Sequence, residues 1–303
     1  MFKLPSGIVL DNLVADLRNL SWEACEILLH YSRILKDKNN NINILKNGDS
    51  EDPVTLADLK VNEIIIQRIN EQYRGINWGI LSEENAKLKS HNFNINSNWI
   101  WVLDPLDGTK DFIQGTTNYA MHLALTHRQK PYIGVVLIPE KNELWITNGE
   151  KVWGEKKDGT IIKPSSFRNK RLDEMVLVTS KNHSNKILKQ LIQKINFKEV
   201  VIMGSIGCKI ASIVRGESDI YICLSLPGKS SPKDWDFAAP ASILKAAGGA
   251  ITNLDNEELS YGKNNFEQGG IIVASNNKRN HKNICSLIKQ IILKFEIYPI
   301  SAN

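Results

Sequence analysis

A chain of 303 residues, 42% hydrophobic and 23% charged, has apolar material for a large core, which excludes a disordered, fibrous or small disulfide-stapled protein. The formal charge of +5 comes from lysines scattered along the chain without a long basic run, which argues against nucleic acid as a partner. There is no 18-residue apolar run, and Cys25, Cys208, Cys223 and Cys285 form no C-x-x-C pair, so the expectation is a cytoplasmic protein without stable membrane insertion.

Leu13, Leu17, Leu20, Ala24, Ile27, Leu28, Tyr31 and Leu35 recur at helical spacing and predict a helix over 11–36. KDKNNNINILKNGDS (36–50) is polar and reads as a loop or weak hairpin. A second helix is predicted over 55–73, where Thr55 and Asp58 have the spacing of an N-cap and its third-position acid partner. WGILSEE (78–84) is a short strand ending in acids, AKLKSHNFNINSN (86–98) a polar loop, and WIWVLDP (99–105) a strand. YAMHLALTH, YIGVVLIP, NELWIT and VWGEK, between 119 and 156, read as an antiparallel meander. From about 166 strands alternate with helices: MVLVTS, a helix over 184–195, EVVIM, a helix over 207–215, DIYICLS, a helix over 236–247, then GGIIVAS and a C-terminal helix. The expected class is α/β, with an α+β lobe over 1–165 and an α/β lobe over 166–303.

Acids gather at the ends of these elements. In WVLDPLDGTK (101–110) Asp104 and Asp107 follow an apolar run, Pro105 forces a turn, and Gly108 lets a ligand approach the backbone. The amides of 108–110 could face an anion. Glu83 and Glu84 end another strand, Asp52 and Asp58 flank a helix start, and Asp234 and Asp236 open a further helix in DWDFAAP. Taken singly, each is an ordinary cap or solvated turn. Four acid sites beside segments that must be buried point instead to one centre, since converging carboxylates stay ionised only with cations between them. Oxygen donors select a hard ion such as Mg²⁺, and no His or Cys shows zinc-ligand spacing. Two such ions about 4 Å apart suit phosphate-ester hydrolysis, with a Thr–Asp pair to orient and deprotonate water.

DPVTLAD (52–58), LSEE (81–84), WVLDPLDGTKDF (101–112) and WDFAAPASILKAAGG (235–249) resemble, in order, the motifs of the inositol monophosphatase superfamily of Mg²⁺-dependent, Li⁺-sensitive phosphatases; the likeness runs from about 11 to 275. It implies a layered α-β-α-β-α sandwich and two or three Mg²⁺ ions. Carried onto this chain, it implies that Glu83, Asp104 and the main-chain carbonyl of Leu106 hold one ion, and Asp104, Asp107 and Asp236 another. Thr109 and Asp58 would activate water, the amides of Gly108 and Thr109 would hold the substrate phosphate, and Asp52 would lie nearby without ligating. Ser82 departs from the glycine that many members carry, although nucleotidase-like members also have a serine there.

GSIGCKIASIVRG (204–216) and LPGKSSPKDWD (226–236) look like the 3′(2′),5′-bisphosphate nucleotidase branch. A bisphosphate needs a cation for the phosphate that is not hydrolysed. Lys209, Lys229 and Lys233 are candidates, and Ser205 with the glycines of 204–207 could contact the nucleotide; the alternatives are solvated lysines and a plain helix entry. PGKSS is no phosphate loop, because Cys223 stands where the first glycine is required. The expected reaction converts adenosine 3′,5′-bisphosphate to AMP and phosphate, and acts also on 3′-phosphoadenylyl sulfate. An inositol monophosphatase or sugar bisphosphate phosphatase with the same mechanism is the alternative. A haloacid-dehalogenase type would need D-x-D-G-T, whereas the spacing here is D-x-x-D-G-T. A non-catalytic regulatory protein would not need the full acid set with Thr109. The expected state is a monomer or homodimer.

Overall fold

Strand β2 (Trp99–Asp107) is buried at eight of its nine residues, as a strand covered on both faces must be. Trp99, Trp101 and Leu103 face one hydrophobic layer, while Ile100 and Val102 face another, the period-two alternation of an extended chain. The structure, a computed structural model, describes residues 4–37, 54–87, 97–167, 169–180, 185–263 and 265–298. Asp52 and most of the two polar stretches at 36–50 and 86–98 lie outside the described residues.

Around β2 runs a seven-stranded sheet in chain order: β1 (Gly79–Ser82), β2, β3 (Ala120–His127), β4 (Lys130–Ile138), β5 (Glu143–Thr147), β6 (Val152–Lys156) and β7 (Ile161–Ile162). β1 pairs with β2 in parallel, and every later pair is antiparallel, so the meander expected over 119–156 is present. A second sheet holds β8 (Val176–Thr179), β9 (Glu199–Ile202), β10 (Ile220–Leu224), β11 (Ala250–Asn253) and β12 (Ile271–Ser275) in the order β11-β12-β10-β8-β9. β8, β9 and β10 are parallel, whereas β12 runs antiparallel to β10 and β11.

Helices fill three layers. α1 (Leu10–Lys36) and α2 (Leu56–Gln72) pack on the outer face of the large sheet through Leu13, Leu17, Leu28, Val61 and Ile65. Two short helices, α3 (Glu83–Lys87) and α4 (Thr109–Ile113), follow β1 and β2 directly. α5 (Lys186–Ile195) and α8 (Lys278–Lys294) cover the outer face of the small sheet. α6 (Ile206–Val214) and α7 (Asp234–Ala246) lie between the sheets; all nine residues of α6 are buried, and its two long or polar side chains, Lys209 and Ser212, hydrogen-bond to backbone carbonyls. The expected α-β-α-β-α layering is therefore present. The four cysteines are free, and among the described residues no helix is long and apolar enough to cross a membrane.

One buried group outside the acid cluster makes stability depend on pH. His281 on α8 sits against Ser275 Oγ at 2.6 Å and Thr252 Oγ1 at 2.9 Å, and burial pushes its pKa from 6.5 down to about 4. The unfolded chain thus binds a proton that the folded chain refuses. The contribution is intact above pH 6.5 and is lost as pH falls toward 4, by about 2 kcal/mol at pH 5. The drop in urea midpoint between pH 7.5 and pH 5 should therefore be smaller in His281→Gln than in the natural chain.

Candidate active site

The two acids that end β2 are held differently. Asp104 is buried, and its Oδ1 accepts from the Leu106 amide at 3.0 Å, which closes the turn at Pro105. Asp107 reaches across to the helical layer between the sheets. Its Oδ2 accepts from Ser205 Oγ at 2.7 Å, from the Gly207 amide at 3.2 Å and from the Ile206 amide. A carboxylate at this N-terminus also meets the positive end of the α6 dipole. Ser205 meets it with a backbone φ of 43°, a region rare for a side-chain-bearing residue, and donates to Asp107 while accepting from Cys208 N.

Asp236 stands in the first turn of α7, its Oδ2 accepting from the Lys233 amide at 2.6 Å. Carboxylate oxygens of Asp104, Asp107 and Asp236 all lie within 4.8 Å of one another, although Asp104 and Asp236 are 132 positions apart in sequence. Glu83, at the start of α3, reaches Asp104 within hydrogen-bonding distance and has Lys87 Nζ at 2.9 Å. Two carboxyls can meet in this way only by sharing a proton or a cation. Burial, then Glu83, Asp107 and Asp236, push the Asp104 carboxyl well above the usual carboxylate range. Burial, then Asp107 and Glu83, push Asp236 up as well. An oxygen-only set that raises the pKa of Asp104 and Asp236 fits a hard divalent cation, since the charge that is costly alone becomes favourable around one.

Beside the cluster, the Thr109 hydroxyl donates to the Leu106 carbonyl at 3.0 Å and lies 3.4 Å from Asp58 Oδ1. Asp58 is fixed from its other oxygen: Oδ2 accepts from the Thr55 amide at 2.8 Å and the Thr55 hydroxyl at 2.5 Å, the expected capping box at the start of α2. Gly108 has a φ of +89°, and a Cβ there would lie 2.9 Å from the Asn118 carbonyl, so the turn between β2 and α4 demands glycine.

The three candidate lysines have different surroundings. Lys209 is 2% exposed; its Nζ donates to the Ser205 carbonyl at 3.1 Å and lies 5.4 Å from the Tyr221 ring centroid. Burial pushes its ammonium pKa down, an effect that Asp107 partly opposes, and its charge in turn lowers the pKa of Asp236. Lys233 ion-pairs with Glu267 at 2.9 Å, and Lys229 is exposed in a loop.

His122 is a residue that the spacing of motifs did not single out. Register pairs it with Asp104 across β2 and β3, and its ring, fully buried, lies 3.3 Å from Asp107 Oδ2 and 3.4 Å from the Trp235 carbonyl. A lone histidine in an apolar strand carries no signal by itself, and its place opposite Asp104 comes from the pairing of β2 with β3, which are joined through α4 rather than by a tight turn that would fix the register. Behind His122, Gly207 is a packing requirement, because a Cβ there would lie 2.2 Å from His122 Nε2 and 2.8 Å from Val136 Cγ1. Gly207→Ala should cost about 2 kcal/mol in urea unfolding, the scale of overpacking a closed core.

Comparison with known proteins gives a consistent result. The profile of the inositol monophosphatase family matches residues 10–293. The chain is 31% identical over 214 residues to the 3′(2′),5′-bisphosphate nucleotidase CysQ of Buchnera aphidicola, covering 69% of this chain and 74% of that protein. It is 26% identical over 227 residues to CysQ of Escherichia coli K12, covering 74% and 85%. An inositol monophosphatase structure from Zymomonas mobilis shares the fold with a TM-score of 0.70 at 23% identity, over 93% of this chain and 99% of that one.

Proposed function

The chain belongs to the inositol monophosphatase family and is a phosphoric monoester hydrolase; from that premise we propose that it removes the 3′-phosphate of adenosine 3′,5′-bisphosphate and of its sulfated analogue, 3′-phosphoadenylyl sulfate, giving AMP or adenylyl sulfate. The observation that carries the chemistry is the convergence of Asp104, Asp107 and Asp236 beside the Thr109–Asp58 pair. The nucleotide substrate is supported by the names of the CysQ relatives and by the 204–216 and 226–236 segments.

In this reading Glu83, Asp104 and the Leu106 carbonyl would hold one Mg²⁺, and Asp104, Asp107 and Asp236 would hold another. Bound there, the ions would acidify water and offset charge on the leaving oxygen. The chain's own residues do the rest. The Thr109 hydroxyl, between the Leu106 carbonyl and Asp58 Oδ1, would pass its proton to Asp58 and accept one from the attacking water. The Thr55 bonds keep Asp58 aimed at it. The amides of Gly108 and Thr109 bind the phosphate as it becomes more negative. Ser205 holds Asp107 in place beside the nucleotide. Lys209 serves as a buried counter-charge for the acids, and Lys233, at the rim, exchanges Glu267 for the phosphate that stays on the product.

The test is phosphate release from adenosine 3′,5′-bisphosphate, inositol 1-phosphate and fructose 1,6-bisphosphate, with Mg²⁺ and with chelator. The adenosine bisphosphate should have the highest kcat/KM by at least about tenfold, and chelator should abolish release from all three. Faster release from inositol 1-phosphate would overturn the substrate assignment and leave the phosphatase assignment standing.

A further inference from the structure

Away from the acids, the C-terminal half of α7 and the edge strand β11 enclose a cavity of about 290 Å³. This is near the lower end of the range for small-molecule sites. Lys245, on its wall, follows Asp236 by nine residues, about 13 Å along the helix axis, so the cavity is separate from the acid cluster. Pro131, Ala241, Ile251 and Leu259 give it an apolar lining.

Two features of the lining call for a ligand. Tyr261 is 2% exposed, yet its hydroxyl has no hydrogen-bond partner among the described residues. A buried hydroxyl left unpaired costs about 1–3 kcal/mol, which a ligand acceptor would recover. The charge is also unbalanced. Lys130 and Lys245 share Glu258 at 3.4 and 2.9 Å, while Lys278 and Lys282, solvent-exposed at the mouth of the cavity on the first turns of α8, make no ion pair among the described residues. His281, between them in sequence, is kept neutral at pH 7 by burial and adds no charge. The lining thus offers an unpaired donor, two unpaired cations and apolar walls that include a tyrosine ring and a proline.

We infer that this cavity is a second ligand site, and that it takes a small aromatic oxyanion: a ring against Tyr261 and Pro131, with a carboxylate, sulfonate or phosphate head toward Lys278 and Lys282. An aromatic body fits because flat rings bury well against tyrosine and proline faces. The head needs the lysines because Glu258 already occupies the other two.

Calorimetric titration of the full chain with naphthalene-1-sulfonate, an aromatic anion that a phosphatase cannot hydrolyse, tests this site. One saturable site is expected, with inorganic sulfate at least about tenfold weaker, since the apolar body contributes. The Lys278→Ala/Lys282→Ala double variant should weaken binding at least about tenfold, and Tyr261→Phe about fivefold, with melting temperatures unchanged or raised. Asp104→Asn should bind the sulfonate as the natural chain does. Absence of binding, equal binding of sulfate, insensitivity to the lysine and tyrosine replacements in variants that still melt cooperatively, or loss of binding in Asp104→Asn would each overturn the proposal.

Discussion

Asp104→Asn is expected to lower kcat at least about 10³-fold while making the metal-free chain more resistant to urea at pH 7.5. The loss of rate follows from its place in the cluster, where it would contribute to both cation positions; removing one charged ligand forfeits several kcal/mol of charge stabilisation in the transition state. The gain in stability follows from the same geometry. Burial and three neighbouring acids push the Asp104 carboxyl up, so its ionised form is a burden on the folded chain without cations. The sign is that of a carboxyl whose folded pKa lies above its unfolded one: the folded state holds the proton more tightly, and stability falls as pH rises. Asparagine keeps an acceptor for the Leu106 amide and removes the charge. The stability difference should therefore vanish below about pH 4, where the carboxyl is protonated in both states. Unchanged kcat, or a less stable variant at pH 7.5, would remove Asp104 from the cation site.

Asp58→Asn should cost about 10²–10⁴ in kcat, the range for losing a positioned general base. Burial, partly opposed by the Thr55 hydrogen bonds and aided by Glu83, raises Asp58 to about 7, so in the metal-free chain it is poised near neutral pH. Cations beside it would lower that value, and the acid limb of the wild-type rate profile should fall between the ordinary carboxylate range and pH 7. Because a base must be unprotonated, the rate declines as pH drops through that limb, and the limb should be missing from the residual activity of Asp58→Asn. Thr109→Ala should lose a similar factor. The double variant should lose about as much as the worse single one, since the two act as one unit across 3.4 Å. Additive losses would show that Thr109 and Asp58 work separately. Thr55→Val, which removes one of the two bonds aiming Asp58, should lower kcat by a smaller factor and leave KM unchanged.

The long elements were legible because their signals are local. Leu13 to Leu28 repeats at the helical period, and Thr55 with Asp58 makes a capping box within four residues. The acid motifs were legible for a similar reason, since each is a short string at an element end. Lys209 was not. In GSIGCKIASIVRG it stands among glycines and apolar residues, and a lysine near a proposed phosphate site suggests a phosphate ligand. Its burial comes from α6 being covered by sheets on both sides, and no string of residues states that. His122 was missed because its neighbour is Asp104, 18 positions earlier, through strand pairing alone.

The sequence by itself determined the helices and most strands, the turn at Pro105 and Gly108, the cap at Thr55, and the identity of the acids, because propensity, periodicity and turn chemistry act over a few residues. Tertiary structure alone decided the parallel pairing of β1 with β2, the burial of Lys209 behind the cluster, and the wedging of His122 between Asp104, Asp107 and the Trp235 carbonyl. It also decided that Asp107 would cap α6 from another sheet. Those outcomes depend on which surfaces meet when two sheets close on a shared pair of helices. Charges and hydrogen bonds between residues a hundred positions apart exist only after that closure.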